Sequence, residues 1–351
     1  MRSDERKLCE AKPSVTAFGG ASPLMGHEPL RGDALSEKAS PSYGNEGKEP
    51  MFKSNRGMSR ALVRRETVAG YLFLLPSLFF FVTFVLYPMF MCIYTSFFDS
   101  NMGKNSVDTF VGLANYKELF HDEIFLGALK NTIIIVVVSV PTVCAFSLWV
   151  AKSICDMHPV LTSAFRCIFY LPVVTGSVAV TVVWKWIYNN RYGVLNYVFK
   201  SLGIISQNIN WLGDSRFALW CIILILFTTS VGQPIVLYVS ALGNVDRTLV
   251  EAAEVDGANR RQVFWKIKWP QIMPTTLYIL IITTINSFQC FALIQLLTSG
   301  GPNHSTDTIM YYIYYTAFKL YRYGYGNAMG VVLMIIIAIL SAVQFKLGQQ
   351  D

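Results

Sequence analysis

Six stretches of this 351-residue chain run for roughly 20 residues or more with no Asp, Glu, Lys, Arg or His in their interiors, near residues 69–97, 131–151, 166–184, 217–242, 274–297 and 327–345. A helix needs about 20 apolar residues to cross some 30 Å of hydrocarbon. Backbone groups find no water there, so only helices and closed barrels can span. Barrel strands would alternate apolar and polar residues over about ten positions, which these runs do not do. The fold class predicted is an all-α membrane protein, a bundle of six transmembrane helices. The balance of 53% hydrophobic against 15% charged residues, with mean hydropathy +0.42, is too apolar for an ordinary soluble protein of this length. Pro76 and Pro88 in the first run and Pro234 in the fourth predict kinks.

Residues 1–57 are rich in Ser, Gly, Pro, Glu and Lys without apolar periodicity, and are expected to be a disordered cytoplasmic tail before a membrane domain over 58–351. No apolar stretch of signal-peptide length follows the basic residues near Met1. Alternate flanks carry thirteen Lys and Arg on one side, concentrated at 53–65 and 247–268, against nine on the other. The excess places both termini and the 243–274 loop in the cytoplasm. It also accounts for the net charge of +7 without a nucleic-acid partner. Aromatic clusters at Trp184–Asn190 and Tyr311–Phe318 are expected to anchor at headgroup depth, with stacking on a sugar as the alternative. The seven cysteines and four histidines are scattered without metal-ligand spacing, and no metal site is expected.

The polar loop at 243–274 reads as structured. Asp246 is placed to cap a helix holding Glu251 and Glu254, and Gly257 to end it in a left-handed turn. A second short helix is expected from about Asn259 toward Pro270. Ala252, Val255 and Ala258 or Asn259 share a face, giving a small apolar patch beside carboxylates. Within the spans, uncharged polar side chains gather twice. Thr283, Asn286, Ser287 and Cys290 share a helical face with Gln289 beside it, and Thr229, Ser230 and Gln233 share another just before Pro234. Hydroxyls and amides offer both donors and acceptors, which suits a neutral polyol, although such residues also join helices to one another. Charges inside a span are kept for proton or ion work, so their absence disfavours an ion-coupled secondary transporter of a neutral solute, the rival reading. An enzyme is not expected, because no nucleophile–base pair, metalloprotease motif or phosphate-cradling loop is present; Gly47-Lys48 is followed by Glu49.

The passage from Glu251 to Pro274 resembles the EAA signature of ABC importer permeases, matching at Glu251, Ala252, Ala253, Asp256, Gly257, Ala258, Phe264, Ile267, Pro270 and Pro274, with Trp269 where Leu is usual. Similarity to the sugar-importing permeases of the maltose type, in the class of the larger maltose permease subunit, extends over about 69–345. It includes the Gly300-Gly301-Pro302 turn followed by Thr306 and Thr308. The resemblance implies a multi-pass subunit in a bacterial plasma membrane that imports a neutral sugar or oligosaccharide. Glu251, Ala252, Ala253, Asp256, Gly257 and Ala258 would form a coupling helix docked on a cytoplasmic ATP-binding subunit. Substrate contacts would come from Thr229, Ser230, Gln233, Thr283, Asn286, Ser287 and Gln289. The implied partners are a second, homologous permease, the ATP-binding subunits and an extracytoplasmic solute-binding protein. ATP and Mg would sit on the ATPase, leaving this chain without a cofactor.

Overall fold

The computed structural model describes residues 60–100 and 108–348, so the expected tail at 1–57 lies outside the described residues. Helix α1 (Arg60–Phe81) passes through a π turn at Val82–Leu86 into α2 (Tyr87–Thr95), and strands β1 (Phe98–Asp99) and β2 (Thr109–Phe110) pair antiparallel. After α3 (Ala114–Leu119), the long α4 (Glu123–Cys155) crosses the bundle. The pair α5 (Pro159–Val174) and α6 (Ser177–Ile187) bends by 95° at its break. Beyond α7 (Val194–Ser201), α8 (Ala218–Ser230) and α9 (Gly232–Gly243) bend by 40°. Next come helices α10 (Arg247–Val255) and α11 (Arg260–Val263), and α11 continues through a π turn at Phe264–Lys268 into α12 (Trp269–Phe288) and α13 (Ala292–Leu297). Helix α14 (Ile309–Tyr314), a third π turn (Tyr315–Lys319) and α15 (Tyr323–Gly348) complete the order.

Among the described residues, four helical stretches are long and apolar enough to cross a membrane, Thr67–Thr95, Glu123–Cys155, Arg260–Leu297 and Tyr323–Gly348; counting each bent pair as one span gives up to six. The third run, expected as a single helix over 166–184, is the main departure. Its chain turns extended at Thr175 and Gly176 (ψ 125° and 141°), three and four residues after Pro172. The fourth run bends at Val231, where Pro234 cannot donate to the Ser230 carbonyl. Gly232 sits at this bend because α5 crosses against it: a Cβ there would lie 2.3 Å from the Phe169 carbonyl oxygen. Pro76, by contrast, stays inside α1.

Two π turns have a shared cause in the sequence. Pro88 and Pro270 each stand two residues beyond a π turn, and the residue before each proline donates five residues back, Tyr87 to Val82 and Trp269 to Phe264. The wider turn takes up the register disturbed by a residue with no N–H.

Asp122 ties one end of the bundle together. As N-cap of α4 it accepts from the Ile124 and Phe125 amides at 2.9 and 3.2 Å, and from the Tyr312 and Tyr325 hydroxyls at 2.7 and 2.8 Å. Burial pushes its carboxyl up, and the four donors outweigh that, holding it below the ordinary value. The aromatic cluster at 311–318 is therefore partly core: Tyr311 and Tyr312 are buried, and Tyr311 donates to the Ser299 carbonyl. Only the far end, Phe318, is well exposed, so the expectation of a headgroup anchor fails for the two buried rings. The Gly300–Thr308 turn is likewise knitted into the bundle. Gly300 has φ +82°, Thr306 Oγ1 donates to Gly301 O at 2.8 Å, Thr308 Oγ1 donates to Cys290 O, and Asn131 donates to Ser305 O and Asp307 O.

Candidate functional site: a polar cavity and a capped loop helix

A cavity of about 310 Å³ opens where both broken helix pairs meet α12 and α13. The α5–α6 break contributes Thr175 and Ser177, the α8–α9 bend contributes Thr229, Ser230 and Gln233, and α12 contributes Thr283 and Asn286. Apolar walls come from Val173, Val180, Leu237, Ile279, Ile282 and Leu293. Irregular backbone inside a membrane is tolerated where it lines a cavity, and both interruptions in these spans fall on this one. Among the described residues, the lining holds no ionisable side chain.

Five of the seven side chains singled out from sequence are thus brought together: Thr229, Ser230, Gln233, Thr283 and Asn286. The Gln233 and Asn286 side chains are exposed and form no hydrogen bond among the described residues. Thr229 donates to Ile225 O and Leu226 O of its own helix, which leaves its oxygen free to accept. Ser287 and Gln289 are not in the lining. Ser287 is 2% exposed, packed inside the bundle. Helix α12 ends at Phe288, and Gln289, read from sequence as lying beside the polar face, is its exposed C-cap residue. Thr175 and Ser177 escaped sequence reading because they occupy a break with no periodic face; the Pro172–Gly176 spacing was the only signal.

The 243–274 loop forms as its capping chemistry directs. Asp246 accepts from the Thr248 amide at 2.9 Å to open α10. Gly257, at φ +82°, closes it: Ala258 N–H donates to Ala253 O at 2.9 Å and Gly257 N–H to Glu254 O at 3.1 Å, the paired bonds of a Schellman end. Asn259 and Gln262 form a reciprocal capping box that starts α11. The second helix is not a separate short element, since α11 runs on into the span containing α12. Helix α10 has no buried residue, and Leu249 and Val255 are 51% and 87% exposed. Glu251, Ala252, Glu254 and Asp256 are also exposed, while Ala253 and Ala258 are half-buried.

Residues 120–349 match the family described as "Binding-protein-dependent transport system inner membrane component". The chain belongs to that family. It is 32% identical over 294 residues to the probable ABC transporter permease protein YurN of Bacillus subtilis, covering 83% of this chain and 100% of that one. The multiple sugar-binding transport system permease protein MsmF of Streptococcus mutans is 33% identical over 281 residues, 80% of this chain and 95% of its own. Among solved structures, a bacterial alginate ABC transporter in complex with an alginate pentasaccharide-bound periplasmic protein superposes with TM-score 0.68 at 24% identity. The match covers 80% of this chain and 94% of that one. This importer permease is therefore a multi-pass membrane subunit of a binding-protein-dependent transport system, and the ion-coupled alternative is not favoured. Within the permease, the matched region takes in the cavity helices from α4 onward and the α10 loop together.

Proposed function

We propose that the permease passes a neutral sugar or oligosaccharide through the cavity at the two helix breaks, driven by ATP hydrolysis on other chains. The observation that carries this reading is the convergence of Thr175, Ser177, Thr229, Ser230, Gln233, Thr283 and Asn286 on one cavity with no charged group in its lining. Amides and hydroxyls can both give and accept hydrogen bonds, matching the alternating demands of sugar hydroxyls. The sugar-transport name of the relative MsmF is in keeping with that chemistry. Ser287 and Gln289 are set aside as direct contacts on their placement.

Helix α10, from Glu251 to the Gly257–Ala258 end, is the proposed contact for a cytoplasmic ATP-binding subunit. Its two exposed apolar side chains and flanking carboxylates are a surface awaiting a partner. In this reading both termini and the loop face the cytoplasm of a bacterial cell, and a second, homologous permease completes the pathway. A solute-binding protein delivers substrate on the other side. ATP and Mg belong to the ATPase, and this chain binds no cofactor and catalyses no reaction.

The test is uptake by the complex reconstituted with its partner subunits. Asn286→Leu and Gln233→Leu each leave a sugar hydroxyl unpaired, a loss of about 1–3 kcal/mol, or roughly five- to hundredfold in apparent affinity. The complex should assemble normally. Unchanged uptake and affinity in both variants would mean that the amides only join helices.

A further inference from the structure

The end of the bundle that carries α10 also gathers three cations that form no ion pair among the described residues. Helix α4 ends at Cys155, and its turn into α5 is locked by Thr162 Oγ1 donating to Ile154 O at 2.9 Å. Ile154, Cys155, Phe165, Val245, Phe264 and Trp269 pack into one apolar cluster, which brings three cations to this end of the bundle beside the acid Asp156: Lys268, Arg166 and Arg247. They come from three different elements: the π turn before α12, α5 and the first residue of α10. Lys152 of the same α4 end is held over the Phe264 ring, 4.0 Å from its centroid, which joins α4 to the start of the α12 span.

Two observations point to a ligand. The Nε of Arg166 is buried and has no hydrogen-bond partner among the described residues. A guanidinium N–H shut away from water calls for an acceptor, and Arg matches the oxygens of a phosphate in two-point fashion. The depth is also informative. Trp265, half exposed, and Trp269, with ring centroids 5.5 Å apart, flank Lys266 and Lys268. Tryptophan beside lysine at the end of a span marks the headgroup layer, where the available anions are lipid phosphates.

We propose that the first half of α5, with the first turn of α10 and the π turn before α12, binds the phosphate of an anionic phospholipid, Arg166 donating to it and Lys268 and Arg247 neutralising it. A lipid held there touches both the bundle and the base of α10, so it would stiffen the helix on which coupling depends.

The probe is phosphatidylglycerol against phosphatidylcholine of the same acyl chains, offered to the purified full chain in detergent and read by native mass spectrometry. Each membrane-adjacent cation is worth about fivefold in anionic-lipid binding. The wild type should therefore retain phosphatidylglycerol in excess, and Arg166→Gln with Lys268→Gln should lower that excess by about 25-fold. Arg166→Lys, which keeps the charge, should retain most of it, and Lys319→Gln, outside this cluster, should retain all of it. Equal retention of the two lipids, or a preference that survives the double glutamine variant, overturns the proposal. Thermal protection by inorganic phosphate equal to that by phosphatidylglycerol would overturn it too, in favour of a site for free anions. None of these readouts requires sugar transport, so failure here leaves the sugar-importer reading untouched, and the converse holds.

Discussion

Gly257→Val tests the loop helix at its most sensitive position. At φ +82° the backbone is left-handed, and an added Cβ meets nothing within 4 Å, so the penalty is conformational rather than a clash. For a residue with a side chain, that conformation costs roughly 1–2 kcal/mol, with a β-branched valine toward the top. If the chain escapes by leaving the left-handed region, it gives up the Ala258–Ala253 and Gly257–Glu254 bonds, each worth about 0.5–1.5 kcal/mol net. Either route costs about 1–3 kcal/mol. Helix α10 spans nine residues and has no buried side chain to resist the loss, and so short a helix is marginal without its caps. Hydrogen exchange on the full chain should show the Asp256 and Ala258 amides opening roughly five- to hundredfold faster, with the amides of α4 unchanged. In the reconstituted complex, substrate-stimulated ATP hydrolysis should fall and the ATPase should dissociate more readily. Gly257→Asn, which tolerates the left-handed region, should recover most of both. Wild-type exchange and coupling in the valine variant would refute the capped docking helix.

Glu251→Lys keeps the helix and reverses a charge on its exposed face, where like-charge juxtaposition can cost several kcal/mol, so coupling should be lost while α10 amide exchange stays normal. An ATPase that stays bound and coupled would place Glu251 outside the interface. Asp122→Asn should destabilise the neutral-pH protein by about 1–3 kcal/mol, because an amide cannot accept from two backbone N–H groups and two tyrosine hydroxyls together. The pH dependence stems from the carboxyl being held below its ordinary 3.8: its contribution is complete above that value and is lost as pH falls through the lower folded one. Thermal unfolding in detergent should therefore weaken with acid below about pH 4 in the wild type and more shallowly in the variant; parallel curves would show that Asp122 is not the anchor.

The bundle was legible because charge-free runs of span length have few other solutions, and the loop because its caps are local: Asp246, Gly257 and the Asn259–Gln262 pair act within a few residues of themselves. The α5–α6 break was not legible. Pro172, itself inside α5, is no clearer a signal than Pro76, Pro141 or Pro274, after which the helix runs on. Whether a proline breaks a span depends on the backbone conformation of the next few residues and on which neighbours take up the freed carbonyl. Two consecutive extended residues, Thr175 and Gly176, supply the turn here. The same limit explains the cavity. Helical spacing found Thr283 and Asn286, but it ran two residues past the helix end to Cys290 and could not separate Asn286, facing the cavity, from Ser287, facing the packed interior.

The π turn at Phe264–Lys268 lies between the capped loop and the cavity residues on the same continuous span. Such a turn is an α-helix carrying one extra residue, absorbed locally without rotating the helix on either side. Elsewhere in α12, removing a residue would swing Thr283 and Asn286 about 100° around the helix axis relative to the loop. Within 264–268 the same deletion would restore ordinary helix and leave both ends in phase. A residue can therefore be gained or lost within this segment while the cavity keeps its orientation relative to α10.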